Sequence, residues 1–243
     1  MSLALPACAL PFALPSPSWP PWPPWPPWGE RLLTARRTPA RGAQAAMQPP
    51  PRPLELRIDV SHGPAETERD IDAVHDRLCR PDGALHGMPS LACGVPGLRL
   101  RYREADGEYY VYVEDVARGR LAGYTVFNRL VEVDRRADRH LRAPHSKYAL
   151  DYQRRGLASA IYRWALDGGL CLITGARQSA AAHALWMRLA AHYPLGYVEL
   201  RDKALRYLGP AVTPEVLDDL HTRMILLGRG WTLDTLAGAT GMR

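Results

Sequence analysis

The sequence predicts an α/β domain in which helices flank a mixed, mostly antiparallel central sheet. Three observations lead to this prediction: a globular composition from about residue 54 onward, alternating strand patterns with hairpin turns, and later strands that alternate with amphipathic helices. A series of strands followed by strand–helix–strand–helix–strand is typical of a layered α/β fold.

Residues 1–53 differ in composition from the rest of the 243-residue chain. They hold 15 of the 23 prolines and four of the seven tryptophans, the latter in the repeat SWPPWPPWPPW. Tandem prolines favour polyproline II, which suits either a ligand of a proline-binding domain or a disordered tail that buries nothing. In a third interpretation the functional protein begins near Met47. We expect the folded domain at residues 54–243.

Charge and cysteine usage restrict the function classes. The chain carries +6, but residues 1–53 hold five arginines against one glutamate, which accounts for +4 and leaves +2 for the domain. A charge this small disfavours a nucleic-acid surface. No apolar stretch reaches the length of a membrane-spanning helix. Because no two cysteines have metal-ligand or redox spacing, we expect no metal and a reducing cytoplasm; they are Cys8, Cys79, Cys93 and Cys171.

The first half of the domain predicts one helix and a strand meander. LELRIDV (54–60) alternates like a strand, and residues 63–79 have helical apolar spacing. Residues 80–97 are rich in Gly and Pro and predict a loop. Residues 98–127 predict three antiparallel strands, with turns at Asp106-Gly107 and around Gly119.

The second half predicts alternating strands and helices. The charged connection 132–145 is expected to be a solvated face or a substrate loop. The predicted elements that follow are a short strand (146–150), a helix with Leu157, Ile161 and Trp164 on one face, a buried strand (170–176), a helix (179–192) and strands within 197–209. A last helix is predicted from Thr213-Pro214 to Gly228, and its apolar stripe requires burial against the sheet or in a homodimer.

The stretch DYQRRGLASAIYRWAL (151–166) predicts an anion site. Its helix would begin after Gly156, and the first turn of a helix has backbone N–H groups without intrahelical partners. Glycine lets a ligand approach the backbone closely, and Arg154 and Arg155 add positive charge. A phosphate or pyrophosphate would fit, although the same residues also suit a helix start with two solvated arginines.

The sequence YALDYQRRGLASAIY resembles the acyl-CoA-binding motif of the GNAT superfamily of N-acetyltransferases, Gln/Arg-x-x-Gly-x-Gly/Ala. Gln153, Gly156 and Ala158 occupy the motif positions. A second family motif is similar to SAAAHALWMRLAA, which places Ser179 where the family has asparagine and Trp186 where it has tyrosine. The resemblance covers roughly residues 54–209.

The resemblance implies a GNAT-like fold and direct transfer of an acetyl group from acetyl-CoA to an amine. Backbone amides of 154–159 would hold the pyrophosphate, and the strand 146–150 would diverge from the strand 170–174 to bind pantetheine. The residues implied to bind acetyl-CoA are Tyr148, Leu150, Gln153, Arg154, Arg155, Gly156, Leu157, Ala158, Ser159 and Ser179. A non-catalytic domain of this fold, binding CoA or a protein partner, is the alternative.

The catalytic groups are less defined by the sequence. Indole cannot act as the acid that the family tyrosine provides, so Trp186 leaves that role to Tyr193, to Tyr197 or to water. The incoming ammonium needs a base, which suits a carboxylate or histidine ahead of the pantetheine strand. The candidates are Glu132 and His145, with Asp134 and His140 behind them. Nothing in the sequence activates Cys171, which we expect to be a small buried apolar residue.

Overall fold

The computed structural model describes residues 63–92 and 95–243. In these residues nine strands form one sheet in the order β1-β2-β3-β4-β5-β6-β9-β7-β8. The β5–β6 pair is parallel and the other described neighbours are antiparallel, which confirms a mixed, mostly antiparallel sheet. The strands are β1 (Ser90–Ala92), β2 (Leu98–Ala105), β3 (Glu108–Asp115), β4 (Arg120–Asn128), β5 (Leu141–Tyr148), β6 (Cys171–Ile173), β7 (Leu195–Arg201), β8 (Ala204–Gly209) and β9 (Thr222–Leu226).

Helices cover both faces of the sheet. On β5, the Ser146 hydroxyl lies 3.4 Å from the Tyr162 hydroxyl of helix α3 (Leu157–Asp167), whereas Lys147 forms an ion pair with Asp70 of helix α1 (Pro64–Cys79). Because neighbouring side chains of a strand point to opposite faces, α1 and α3 lie on opposite sides. The helices are α1 (Pro64–Cys79), α2 (Arg135–Asp138), α3 (Leu157–Asp167), α4 (Ala180–Ala190), α5 (Pro214–Leu217) and α6 (Leu233–Thr240).

The buried apolar side chains form two clusters. Along β6, Leu172 belongs to the cluster that contains α3 residues, whereas Cys171 and Ile173 belong to the cluster that contains Leu236 of α6. All three β6 side chains are buried, as predicted for this short apolar strand. The strand therefore has apolar packing on both faces, and its ends are the places where a ligand could reach it.

Several predicted elements are confirmed. α1 occupies nearly the whole stretch predicted as helix, and the three strands of residues 98–127 pair as a meander. At the first turn Asp106 and Gly107 both have positive φ angles, 54° and 79°, as a two-residue hairpin turn requires. Within the loop predicted at 80–97, the structure adds the short strand β1. The strand predicted at 54–60, the Pro/Trp segment and Met47 lie outside the described residues.

The last predicted helix is wrong. After the four-residue helix α5, the chain enters β9, which lies between β6 and β7 and is buried at all five positions. Sequence spacing placed Met224 and Leu227 on a helical stripe, but the continuous apolar run from Met224 to Leu227 suits a strand covered on both faces. This part of the chain is thus an inner strand of the sheet rather than a helical extension.

The connection at 132–145, predicted as a solvated face or a substrate loop, is also wrong in part. It contains α2, and β5 begins at Leu141 and ends at Tyr148 rather than spanning 146–150. Asp138 and Arg142 are each only 6% exposed. The Asp138 carboxylate accepts hydrogen bonds from Arg129 Nε (2.8 Å) and from the backbone N–H of Leu130 (2.9 Å), so these charges are buried because they are paired.

Candidate functional site

The central feature of the candidate site is the edge of β5 that is not paired with β6, called the opening from here on. The two strands pair only at Leu141–Cys171 and Arg142–Leu172. Beyond Arg142, β5 stays paired with β4 as far as Tyr148 but no longer with β6. On the other side, the backbone N–H of Thr174 donates to the carbonyl of Met224 (2.9 Å), which holds the end of β6 against β9. Pairing of β5 with β6 therefore ends after Arg142, which agrees with the predicted divergence of these two strands.

The turn before α3 has the backbone geometry of a close-approach loop. Arg154 and Gly156 both have positive φ angles, 58° and 78°. A Cβ atom built on Gly156 would meet no atom within 4 Å, so the space above this residue is open. Residues 153–156 are exposed, and among the described residues none forms an ion pair with Arg154.

The first turn of α3 offers free backbone donors. Gly156 is the N-cap residue and provides no side-chain cap, and the first turn contains no acidic residue. The first intrahelical bond is donated by Ala160 to the Gly156 carbonyl (2.9 Å), which leaves the amides of Leu157, Ala158 and Ser159 without intrahelical acceptors. These amides and the helix dipole favour an anion at this position.

Gln153 has a positioning role that its sequence motif did not show. Its side-chain Nε2 donates to the Tyr148 carbonyl at 2.9 Å and so ties the turn to the end of β5. Leu150 lies in a single 3₁₀ turn, and its backbone N–H donates to Glu68 Oε1 (3.2 Å). The structure thus places neither Leu150 nor the Gln153 amide on the unpaired edge of β5.

Tyr152 connects the turn at 153–156 to the loop after β3. Its hydroxyl donates to Asp115 Oδ2 (2.7 Å), a bond that lowers the pKa of the Asp115 carboxyl. Its ring is contacted by two guanidinium groups, that of Arg155 at 5.2 Å and that of Arg118 at 5.7 Å from the centroid. Arg118 also forms a 2.8 Å ion pair with Asp151. The Arg155 guanidinium is therefore held near the turn, although its sequence position alone did not show how.

A buried hydroxyl cluster supports β5 beneath α3 and was not found by sequence reasoning. Thr125 Oγ1 lies 2.7 Å from Ser146 Oγ and 3.0 Å from the Tyr148 hydroxyl, and Ser146 reaches Tyr162. Burial raises the pKa of Tyr162 to about 12 and that of Tyr148 further, so both phenols stay protonated at neutral pH. The cluster depends on strand register, which no local pattern of these residues encodes.

The predicted base residues lie in different environments. His145 is exposed on β5, beside the opening and on the α1 face of the sheet, since it is two residues from Lys147. Glu132 is half-exposed, and its Oε2 lies 3.3 Å from the buried Arg223 guanidinium on β9. Asp134 instead caps α2 by accepting from the backbone N–H of Ala137 (2.7 Å). His140 packs edge-on against Trp231, with 5.3 Å between ring centroids.

Of the two predicted acids, Tyr193 lies away from the opening. The Tyr193 hydroxyl lies 3.5 Å from the Arg163 carbonyl, and burial together with Asp167 raises its pKa to about 12. Asp167 ends α3, roughly 15 Å along the helix axis from Gly156. Tyr197 is a buried residue of β7 paired with Met224. Trp186 is buried in the core, so its indole fills space rather than facing a ligand.

The loop between β6 and α4 contains two polar residues of interest. Ser179 is the N-cap of α4, and its Oγ accepts from the backbone N–H of Ala182 (3.2 Å), which gives it a structural role. Gln178 Nε2 lies 3.4 Å from Met224 Sδ. The Gln178 Oε1 atom is buried and has no hydrogen-bond partner in the part of the chain that the structure describes. Gln178 was not predicted as a site residue.

Cys171 is a buried apolar residue, as expected. Burial raises the pKa of its thiol to about 12, and the backbone N–H of Gly228 points at its sulfur (3.5 Å). We predict that iodoacetamide at pH 8 alkylates the exposed Cys79 in the folded protein and leaves Cys171 unmodified. Peptide mapping by mass spectrometry measures both residues in one sample. Equal labelling of the two before urea is added would contradict the buried placement.

The described residues contain no group of three or more His, Cys, Asp and Glu side chains that could hold a metal ion. Within the same residues, no helix has the length and apolar character needed to cross a bilayer.

Comparison with solved structures gives matches to N-acetyltransferases. A GNAT superfamily phosphinothricin acetyltransferase from Sinorhizobium meliloti, in complex with acetyl-CoA, matches at 16% identity and a TM-score of 0.33, over 69% of this chain and 86% of that chain. A spermidine N-acetyltransferase chimera from Vibrio cholerae and hSSAT matches at 15% identity and a TM-score of 0.31, over 65% and 90%.

A ribosomal alpha-N-protein acetyltransferase in complex with coenzyme A matches at 13% identity and a TM-score of 0.30, over 49% of this chain. That match spans 60% of the other chain. No protein-family model matches the sequence, and neither does a curated protein. What the structure itself shows is a mixed, mostly antiparallel sheet in which β5 and β6 pair at two positions, next to the turn at residues 153–156.

Proposed function

We propose that this chain is an acyl-CoA-dependent N-acyltransferase that transfers an acetyl group from acetyl-CoA directly to an amine. The observation that carries this proposal is the position of the uncapped α3 N-terminus, at the end of the sheet where β5 leaves β6. An anion site and an unpaired strand edge are the two elements needed for a ligand with a pyrophosphate and a chain of amides.

The geometry supports a defined placement of acetyl-CoA. The pyrophosphate would accept hydrogen bonds from the amides of 157–159, with the Arg154 guanidinium adding charge. The pantetheine amides would pair with the edge of β5 beyond Arg142. Gln178 Oε1 is a buried acceptor without a partner among the described residues. It would accept a hydrogen bond from a ligand N–H, which would remove the free-energy cost of a buried, unsatisfied oxygen.

The acetyl transfer needs one base and no covalent intermediate on the protein. The amine nitrogen attacks the thioester carbonyl carbon, a C–N bond forms, the C–S bond breaks, and the CoA thiolate leaves. The ammonium proton passes to a base, for which His145 beside the opening and Glu132 near β9 are the candidates, directly or through water. A thiolate is a stable leaving group, so the placement of Trp186 and Tyr193 away from the opening does not prevent this reaction.

A non-catalytic domain that binds CoA or a protein partner is the second candidate function. The observation that favours it is Trp186, whose buried indole replaces the family tyrosine. The two candidates differ in turnover, because only the transferase releases free thiol from acetyl-CoA when amines are supplied. A reducing cytoplasm, the homodimer and the boundaries of the domain at residues 54–243 stay predictions.

We predict that Ser159→Asp weakens acetyl-CoA binding at least about tenfold, because a carboxylate in the first turn of α3 repels a pyrophosphate held by the same turn. An acidic residue in the first turn favours the helix itself, so the folded state is expected to keep its stability. Isothermal titration of acetyl-CoA into the full chain measures the change.

Ser159→Asn is the matched control, since it has the size of aspartate without its charge, and its affinity should stay within a small factor of wild type. Gly156 is a poorer test position, because its φ of 78° makes any side chain strained there. No binding of acetyl-CoA at millimolar concentration by the folded wild type, or equal binding by the Asp and Asn variants, contradicts the proposed site.

A further inference from the structure

A cavity of about 540 Å³ lies between α1, the loop after α1, and strands β2–β4. It is on the face of the sheet covered by α1, opposite to α3. Its floor is a cluster of tyrosines and its walls carry arginines: Arg77, Arg80, Arg103, Tyr110, Tyr112 and Tyr124. A cavity of this volume and lining suits a small organic ligand rather than a metal ion.

The strand register connects this cavity to the β5–β6 opening. Arg103 pairs with Tyr110, Tyr110 with Val126, and Val126 with His145, so the four residues form one row across β2–β5. Residues paired across a sheet share a face, and neighbouring strands are about 4.8 Å apart. The row thus begins with a guanidinium in the cavity and ends with an imidazole beside the opening.

The three arginines of the cavity outnumber the carboxylates beside it, which are Asp82 in the lining and Glu108 next to Tyr110. Two other cations on this face are paired, Arg101 with Glu114 at 3.0 Å and Lys147 with Asp70. Among the described residues, none forms an ion pair with Arg103 or Arg80. Asp82 is the one acidic side chain among the described lining residues, against three arginines.

The arginines converge on the tyrosine floor. Burial raises the pKa of the Tyr112 hydroxyl, and the nearby guanidinium groups of Arg103 and Arg77 partly offset that rise. Tyr112 lies 6.3 Å from the Tyr110 ring and 6.4 Å from the Tyr124 ring. The Tyr110 hydroxyl is already committed, since it donates to Glu108 Oε2 at 2.6 Å. The floor is therefore an apolar, aromatic surface with cations above it.

We propose that this cavity holds the acceptor, an amine that carries an anionic carboxylate or phosphate group bound by Arg103, Arg77 and Arg80. This assignment rests on the proposed acyltransferase function. The anionic group lies at the arginine end of the row, the body of the acceptor lies on the tyrosines, and the amine points along Val126 to His145 and the opening. Guanidinium groups bind carboxylates and phosphates through paired hydrogen bonds, which makes a neutral or dicationic amine the poorer acceptor.

The first test measures binding without acetyl-CoA. N-acetyl-L-phenylalanine, its neutral amide and phenyl phosphate are titrated into the full chain by calorimetry. We expect at least one of the two anions to bind about tenfold or more tightly than the neutral amide, and Arg103→Gln to remove most of that difference. Tighter binding of N-acetyl-L-phenylalanine identifies the anionic group as a carboxylate, and tighter binding of phenyl phosphate identifies it as a phosphate.

The control is Arg135→Gln, an exposed arginine of α2 outside the cavity, which should leave every affinity unchanged. If Arg103→Gln does not fold, Arg80→Gln in the exposed loop replaces it, with a smaller loss expected. Equal binding of the amide and both anions, no binding of any probe, or unchanged affinities in a folded arginine variant overturns the proposal.

The second test measures turnover. 4-(Aminomethyl)phenylacetate and its neutral amide, which carry the amine and the acid or amide group at opposite ends of a ring, are compared as acceptors, and the acid is expected to have the higher kcat/KM, with the advantage lost in Arg103→Gln. A chain that binds acetyl-CoA but prefers the neutral acceptor overturns the acceptor assignment alone. A chain that binds the anionic probes but not acetyl-CoA overturns the transferase function, and the cavity then stands only as an anion site.

Discussion

Replacing Gly123 by alanine is expected to lower the free energy of unfolding by about 3 kcal/mol or more. A Cβ atom at this position would press against the Lys147 carbonyl oxygen and lie 2.7 Å from Tyr148 Cα, both of them backbone atoms of β5. Gly123 pairs with Tyr148 in the β4–β5 ladder, so β5 cannot move away without losing that pair. Urea denaturation followed by circular dichroism measures the loss.

Gly238→Ala is the matched control for this prediction. Gly238 lies in α6, where an added Cβ would meet no atom within 4 Å, and alanine there should raise stability by about 0.5–1 kcal/mol. A Gly123→Ala protein as stable as the Gly238→Ala protein would show that β4 and β5 are not in the tight contact described.

Asp138→Ala is the second substitution with a large expected effect, a loss of about 3 kcal/mol or more in the free energy of unfolding. The change leaves the backbone N–H of Leu130 without its acceptor and removes the partner of Arg129. Arg142, whose Nη1 lies 4.0 Å from the same carboxylate, would remain a buried cation without it. Removing one member of a buried charge cluster costs more than losing a surface ion pair.

The size of this effect is checked against a surface aspartate. Asp76→Ala on the exposed side of α1 should change stability by less than about 0.5 kcal/mol, since surface substitutions away from special contacts have small effects. Asp138→Asn should fall between the two, because the amide keeps one acceptor oxygen but not the charge. Equal stability of all three variants would contradict the buried role of Asp138.

Much of the fold is encoded locally and could be predicted. The turn at Asp106-Gly107 needs two positive φ angles, which that dipeptide supplies, and the start of α3 follows from Gly156 and the spacing of Leu157, Ile161 and Trp164. The identification of the turn at 153–156 and of the divergence of β5 and β6 came from the resemblance to a family motif, and the structure contains both.

Features that depend on tertiary neighbours could not be predicted. Local apolar spacing did not show that Met224 lies in an inner strand, because only β6 and β7 on its two sides make that strand favourable. The charged run 132–145 resembled a solvated loop, since burial of Asp138 and Arg142 depends on Arg129, Leu130 and Gly107 elsewhere in the chain. Gln153 matched the motif, but its bond to the Tyr148 carbonyl depends on the three-dimensional turn.

The short β5–β6 contact also determines how the two halves of the sheet are joined. Strands β1–β5 form one continuous antiparallel unit and β6–β9 another. Strand pairing joins the two units at two residue pairs, and both apolar clusters contain side chains from both units. A molecule lying in the opening would contact β5 on one side and the β6 end on the other, and so would act as a non-covalent crosslink between these units. Ligand affinity and resistance to separation of the two units are therefore coupled quantities in this protein, since a ligand bound there adds contacts between units whose strands pair at two positions.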